Sequence, residues 1–218
     1  MPEQDVRTIL CYGDSNTWGY DPASRNRFPP EVRWTGVMAR ELGERYRVIE
    51  EGLNGRTTRW DDPIEAGRNG LTYLAPCLES HHPLDMVLIM LGTNDLKQRF
   101  KLSASDIAES AGSLAGIAKQ VATNAAGEPP FVLLIAPPAV TTLTDFDEMF
   151  AGAEAKSRLF SRYYRMAAGW HGALFVDAGA LIECSPLDGI HFEPDAHEIL
   201  GLALAGEVRN AFPDGVDD

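Results

Sequence analysis

Ser15, Asp188 and His191 are the residues of this chain whose types and spacing could carry nucleophilic acyl chemistry. A serine hydroxyl attacks a carbonyl only once a base takes its proton, and an imidazole oriented by a carboxylate is such a base. Asp188 and His191 stand three apart in Asp188-Gly189-Ile190-His191, so a tight loop can join carboxylate and ring and fix the tautomer. Ser15 follows Gly13-Asp14 at the end of an apolar run, where a strand-to-helix turn lets its hydroxyl and its own N–H face a crevice. The tetrahedral intermediate then needs donors, for which the N–H groups of Ser15 and Gly55 and the side-chain amide of Asn94 are the candidates. Asn16, Trp18, Thr93, Lys97 and Ile190 flank these positions and are candidate substrate contacts, Trp18 as a pocket wall. Taken alone, Ser15 reads equally well as a helix cap, and a lone His191 as a satisfied polar group. The pairing of His191 with Asp188 and the presence of Asn94 shift the balance to chemistry. Asp14 reads as a residue holding its turn, and Asp95 as a cap or loop anchor.

Something must bring these distant positions together. Short apolar runs at Ile9 to Tyr12, Val48-Ile49, Met86 to Leu91, Phe131 to Ala136 and Leu174 to Val176 read as five buried strands. Helical spacing joins Trp34, Val37, Met38 and Leu42, then Leu71, Leu74 and Leu78, then Ile107, Leu114, Ile117 and Val121 behind the cap-like Ser103 and Asp106. Two more helices are expected along Leu159, Tyr163, Met166 and Trp170, and along Ile199, Leu202, Ala203 and Val208 behind Pro194. Strands that alternate with helices form a parallel sheet with helices on both faces, because each crossover is right-handed. The expected fold is one α/β/α domain over 1–218 with a five-stranded parallel sheet, its tail 213–218 frayed. In such a sheet ligands bind beyond the carboxyl ends of the strands. Each polar cluster named above follows one of the five runs. The stretches 21–31, 59–68 and 139–148 follow strands too closely to be linkers and are expected to wall the site.

The 218 residues carry 19 Lys and Arg against 32 Asp and Glu, a net charge of −13 without a basic run, which argues against a nucleic-acid partner. Cys11, Cys77 and Cys184 are odd in number and far apart, so neither a disulfide framework nor a zinc knuckle is expected, and Cys11 reads as a small core residue. His191 and His197 flank Glu193 and Asp195, and His81 adjoins His82, but this spacing suits no common metal site, so no metal is expected. The first residues lack the pattern of a secretion signal and no apolar run is long enough to span a membrane, so a cytoplasmic protein without membrane contact is expected.

Gly13-Asp14-Ser15, Gly55, Gly92-Thr93-Asn94-Asp95 and Asp188-Gly189-Ile190-His191 resemble the four sequence blocks of the SGNH (GDSL-type) hydrolases, in the same order and over nearly the whole chain. The strings VRWTGV, VIEEGL, RTT and IMLGTND are similar to its arylesterase and acyltransferase branch. The resemblance implies a flavodoxin-like sheet, Ser15 as nucleophile, Asp188 and His191 as its partners, Ser15, Gly55 and Asn94 as the oxyanion hole, and no cofactor. It also implies a homo-oligomer, with the segment 139–153 at the contacts. Two positions depart from the pattern: Asn16 stands where the family has leucine, and Gly55 where the branch has another small residue.

The expected function is hydrolysis of small-molecule esters with short acyl chains, aryl acetates among them, through an acyl-enzyme, with alcohols as further acyl acceptors. A carbohydrate acetylesterase, a phospholipid or thioester hydrolase, and a noncatalytic flavodoxin-like module for a flavin or small anion are the alternatives. Against the last, the first turn is acidic at Asp14 and carries no GxGxxG.

Overall fold

The computed structural model describes residues 6–213. Five strands, β1 (Arg7–Gly13), β2 (Tyr46–Gly52), β3 (Met86–Met90), β4 (Phe131–Ala136) and β5 (Leu174–Asp177), form one parallel sheet in the order β2-β1-β3-β4-β5. Among the described residues seven α-helices surround it: α1 (Ser15–Trp18), α2 (Trp34–Leu42), α3 (Gly70–Ser80), α4 (Ala104–Val121), α5 (Ala153–Ser157), α6 (Phe160–Trp170) and α7 (Pro194–Ala211). All five expected strands and the five longer expected helices are present. The expected frayed tail lies, apart from Pro213, outside the described residues.

Alternation along the strands divides the core in two. Ile9 and Cys11 of β1 with Leu88 and Met90 of β3 face α2 and α7, where Trp34, Met38, Leu200 and Leu204 cover them. Leu10, Tyr12, Val87 and Ile89 face α3, α4 and α6, under Leu74, Leu78, Leu114 and Phe160. Each such fully buried side chain contributes about 1.5–3 kcal/mol. α4 begins with the anticipated capping box, in which the Ser103 hydroxyl accepts from the Asp106 N–H and the Asp106 carboxylate accepts from the Ser103 N–H.

The inward faces of α6 and α7 differ from expectation by about one residue. Leu159, Met166 and Trp170 point outward, and Phe160, Tyr164, Ala167 and Ala168 are buried instead. On α7, Ile199 and Leu202 are exposed while Leu200, Gly201, Leu204 and Ala205 are buried. Both helices carry two adjacent apolar stripes, and the stripe with small residues wins because it allows closer approach. A methyl group added at Gly112 of α4 would lie 2.9 Å from the Ala167 side chain of α6. Strands β2 and β5 are partly exposed, as edge strands must be, whereas burial of all five was expected. Among the described residues, no helix is long and apolar enough to cross a membrane.

The order 2-1-3-4-5 reverses direction between β1 and β3, and a crevice opens there beyond the carboxyl ends of the strands. Gly13 ends β1, Gly92 follows β3 by two residues, and both loops therefore emerge at one edge.

Candidate active site

One turn of helix presents Ser15. Asp14 caps α1 by accepting from the Asn16 N–H at 3.0 Å, which leaves the side chain of Ser15 at the first helical position facing the crevice. Opposite it, the loop 188–191 closes on itself. The Asp188 Oδ1 accepts from the N–H groups of Ile190 and His191, both at 2.9 Å, while its Oδ2 lies 2.6 Å from His191 Nδ1. His191 Nε2 lies 2.9 Å from Ser15 Oγ. Burial pushes the Asp188 carboxyl up, but the hydrogen bonds and charge of His191 and the two N–H groups outweigh it and hold the carboxyl below its usual range. An ionised Asp188 can only accept, so Nδ1 carries the ring proton and the Nε2 lone pair faces the hydroxyl.

Asn94 and Gly55 enter the same cavity from the two neighbouring loops. Gly55 has φ +78°, a backbone conformation that residues with a Cβ rarely adopt. The Asn94 amide donates to the Arg56 carbonyl at 3.1 Å and lies 3.5 Å from Asp14 Oδ2. Asp95 is wholly buried and anchors its loop to the one after β2, accepting from the Thr58 N–H at 3.0 Å and from the Thr58 hydroxyl. Burial pushes the Asp14 carboxyl up to about 6 and that of Asp95 up to about 7, partly opposed by these donors.

The cavity around Ser15 measures about 170 Å³ and is lined by Tyr20, Phe146, Met149, Phe150, Ile190 and the polar pair Lys97 and Glu65, besides Asn54, Gly55, Asn94 and His191. Lys97 Nζ lies 3.1 Å from Glu65 Oε1 and 3.4 Å from Asp62 Oδ2, and Arg99 joins the same two carboxylates. This cluster ties the stretch 59–68 to the wall of the cavity. Of the candidate substrate contacts, Lys97 and Ile190 line it and Asn16, Trp18 and Thr93 do not. Asn16 is buried and donates from its side-chain amide to the Ile190 carbonyl at 3.2 Å, clamping α1 to the loop of His191. Trp18 points away, its ring under the Arg27 guanidinium. The aromatic ring that this part of the chain brings to the cavity is Tyr20, which lies 4.2 Å from the ring of His191. One helical turn ends at Trp18, and the chain must turn at Gly19 before it can reach the cavity. Phe146, Met149 and Phe150 come from the segment 139–153, where the sequence offers no periodicity to say which side chains turn inward. The stretch 21–31 contributes no wall to this cavity.

His197, next to the loop of His191, is fully buried and accepts from the Trp34 N–H at 3.2 Å. Burial pulls its pKa down to about 4, so it is a neutral core residue. The three cysteines are free and buried.

Residues 11–199 match the family model described as GDSL-like Lipase/Acylhydrolase family. The fold is similar to that of the Mycobacterium smegmatis aryl esterase, at 43% identity and a TM-score of 0.89 over 94% of this chain and 99% of that one. It is equally similar to Est24, a carbohydrate acetylesterase from Sinorhizobium meliloti, at 43% identity and TM-score 0.90 over 94% and 100%. A further carbohydrate acetylesterase family member from Sinorhizobium meliloti shares 34% identity and a TM-score of 0.91 over 95% and 100%. A comparison with curated protein sequences gives no match. The family match spans most of the chain and three solved structures align along nearly all of their own length, so the chain belongs to the GDSL-like (SGNH) lipase/acylhydrolase family and is a carboxylic ester hydrolase.

Proposed function

We propose that the chain hydrolyses carboxylic esters of short acyl chain through an acyl-enzyme on Ser15. The observation that carries this reading is the line Asp188 Oδ2, His191 and Ser15 Oγ, with separations of 2.6 and 2.9 Å at the wall of a small cavity. As Ser15 Oγ bonds to the ester carbon, its proton passes to His191 Nε2 and the carbonyl electrons move onto oxygen. The N–H groups of Ser15 and Gly55 and the amide of Asn94 receive that oxyanion. Collapse expels the alkoxide or phenoxide, which takes the proton back from Nε2. Water then repeats the sequence on the acyl-enzyme and releases the acid, and an alcohol entering in place of water gives acyl transfer.

A cavity of about 170 Å³ is small beside the ~300–1,000 Å³ of pockets for drug-sized ligands, which supports an acetyl-sized acyl group. Hydrolysis of p-nitrophenyl esters is therefore expected to be fastest at acetate and to fall by at least about tenfold by octanoate, because the small cavity bounded by Phe146 and Phe150 holds only the first carbons of a longer chain. A maximum at octanoate or longer would overturn the short-acyl reading. Carbohydrate acetates are the second substrate class, supported by the Lys97 and Glu65 groups that offer charged hydrogen-bonding partners to a hydroxylated leaving group. Competition of acetylated xylose against phenyl acetate separates the two, since inhibition at matched concentration favours the sugar ester.

Asn94→Ala is expected to lower kcat about 10²–10³-fold with little change in KM, because the amide meets charge that exists only in the transition state. An unchanged kcat would remove Asn94 from the oxyanion hole.

A further inference from the structure

Away from the crevice of Ser15, Glu51, Cys77 and His81 bring a carboxylate oxygen, a thiol sulfur and a ring nitrogen within 4.8 Å of one another. Glu51 is the penultimate residue of β2, while Cys77 and His81 lie one turn apart on the same side of α3 and its C-terminal cap. No local spacing unites them, since strand and helix supply them from separate stretches of chain. Cys77 is fully buried, and the other two side chains are 20% and 26% exposed, so the group has one dry ligand and two that reach solvent.

We propose that these three side chains bind a thiophilic divalent cation of the zinc class. Thiolate, imidazole and carboxylate together form a donor set suited to zinc, with ligand distances of about 2.0–2.3 Å and a fourth position for water. His81 Nε2 and Glu51 Oε1 are 2.8 Å apart in a hydrogen bond, which the ion replaces once that pair opens and the Cys77 sulfur, within 4.8 Å of both, closes on it. Water has a route in, because Glu51 also walls a separate cavity of about 630 Å³ with Gly52, Leu53 and Tyr73. Arg56 lies beside the group without taking up its ligand atoms: its Nη1 donates to the carbonyls of Gly13 and Glu51, and its guanidinium lies 4.2 Å over the Tyr12 ring. Burial, with the charge of Glu51, pushes the Cys77 thiol up to about 12, so the free protein holds it protonated. Because the metal ligand is the thiolate, uptake of the ion releases the thiol proton to solvent, while the ring proton of His81 moves from Nε2 to Nδ1, with no change in oxidation state.

The test is titration of the metal-free full chain with Co²⁺, and then with Zn²⁺ in competition. Wild type is expected to take up one equivalent, to develop a thiolate-to-cobalt charge-transfer band and to release protons to a weak buffer as it does so. Cys77→Ser, which keeps the side-chain volume, is expected to lose the band, and both it and His81→Gln are expected to weaken Zn²⁺ binding by at least ~10–100-fold, the range that loss of an outer-sphere partner already costs. Circular dichroism and hydrolysis of p-nitrophenyl acetate, which none of these residues touches, report whether each variant is folded. Wild-type uptake equal to that of folded Cys77→Ser, or a band that persists in that variant, would overturn the site.

Discussion

Ser15→Ala is expected to lower turnover of p-nitrophenyl acetate by about 10⁴–10⁶-fold, with the fold unchanged. The prediction is large because the hydroxyl that would attack the ester is the group whose proton His191 Nε2, 2.9 Å away, is placed to take. The variant is also clean. The cap of α1 is the Asp14 carboxylate accepting from Asn16, so alanine at 15 leaves that bond in place. The hydrogen bond lost to His191 is worth about 1 kcal/mol of stability. A serine-directed organophosphate is expected to add one adduct to wild type, visible by intact mass, and none at this site in the variant. Activity of Ser15→Ala at the wild-type rate would exclude the acyl-enzyme on Ser15.

Asp188→Asn is expected to lower kcat by about 10⁴-fold while kcat of the variant stays low at every pH. The side-chain oxygen of asparagine can still accept from the N–H groups of Ile190 and His191, so the loop keeps its shape. Its amide nitrogen would then face His191 Nδ1, which must become the acceptor. The ring proton moves to Nε2, and the Ser15 hydroxyl meets a donor where it met a lone pair. Raising the pH cannot repair a wrong tautomer, whereas it would rescue a defect that came only from a shifted pKa. A pH profile of kcat in wild type and variant distinguishes the two, and a variant within tenfold of wild type would reduce Asp188 to a structural residue.

Much of this was legible because strands buried in a parallel sheet and helices that cross over it leave strong periodic signals. Ile9 to Tyr12 and Met86 to Leu91 could only be buried, and an apolar run of that length between helices could only be a strand. Which face of a helix turns inward was less legible. In α6 the stripes led by Leu159 and by Phe160 have comparable hydrophobicity, and the decision belonged to Ala167 and Ala168, whose small side chains let the helix approach α4. Trp18 illustrates the same gap at the site. Proximity in sequence to Ser15 suggested a pocket wall, yet a single helical turn aims it elsewhere and Tyr20 takes the place beside His191.

Residue types and short-range spacing by themselves determined the order of strands and helices, the loop Asp188 to His191, and the set of side chains with chemistry to offer. Those are local properties, governed by periodicity and by hydrogen bonds between near neighbours. Only the tertiary structure decided which side chains close the cavity, that Lys97 and Glu65 form its polar wall, and that Glu51 meets Cys77 and His81. Each of these depends on contacts between stretches far apart in the chain, where the angle at which two elements pack sets the distance between their side chains, and no spacing along the sequence encodes that angle.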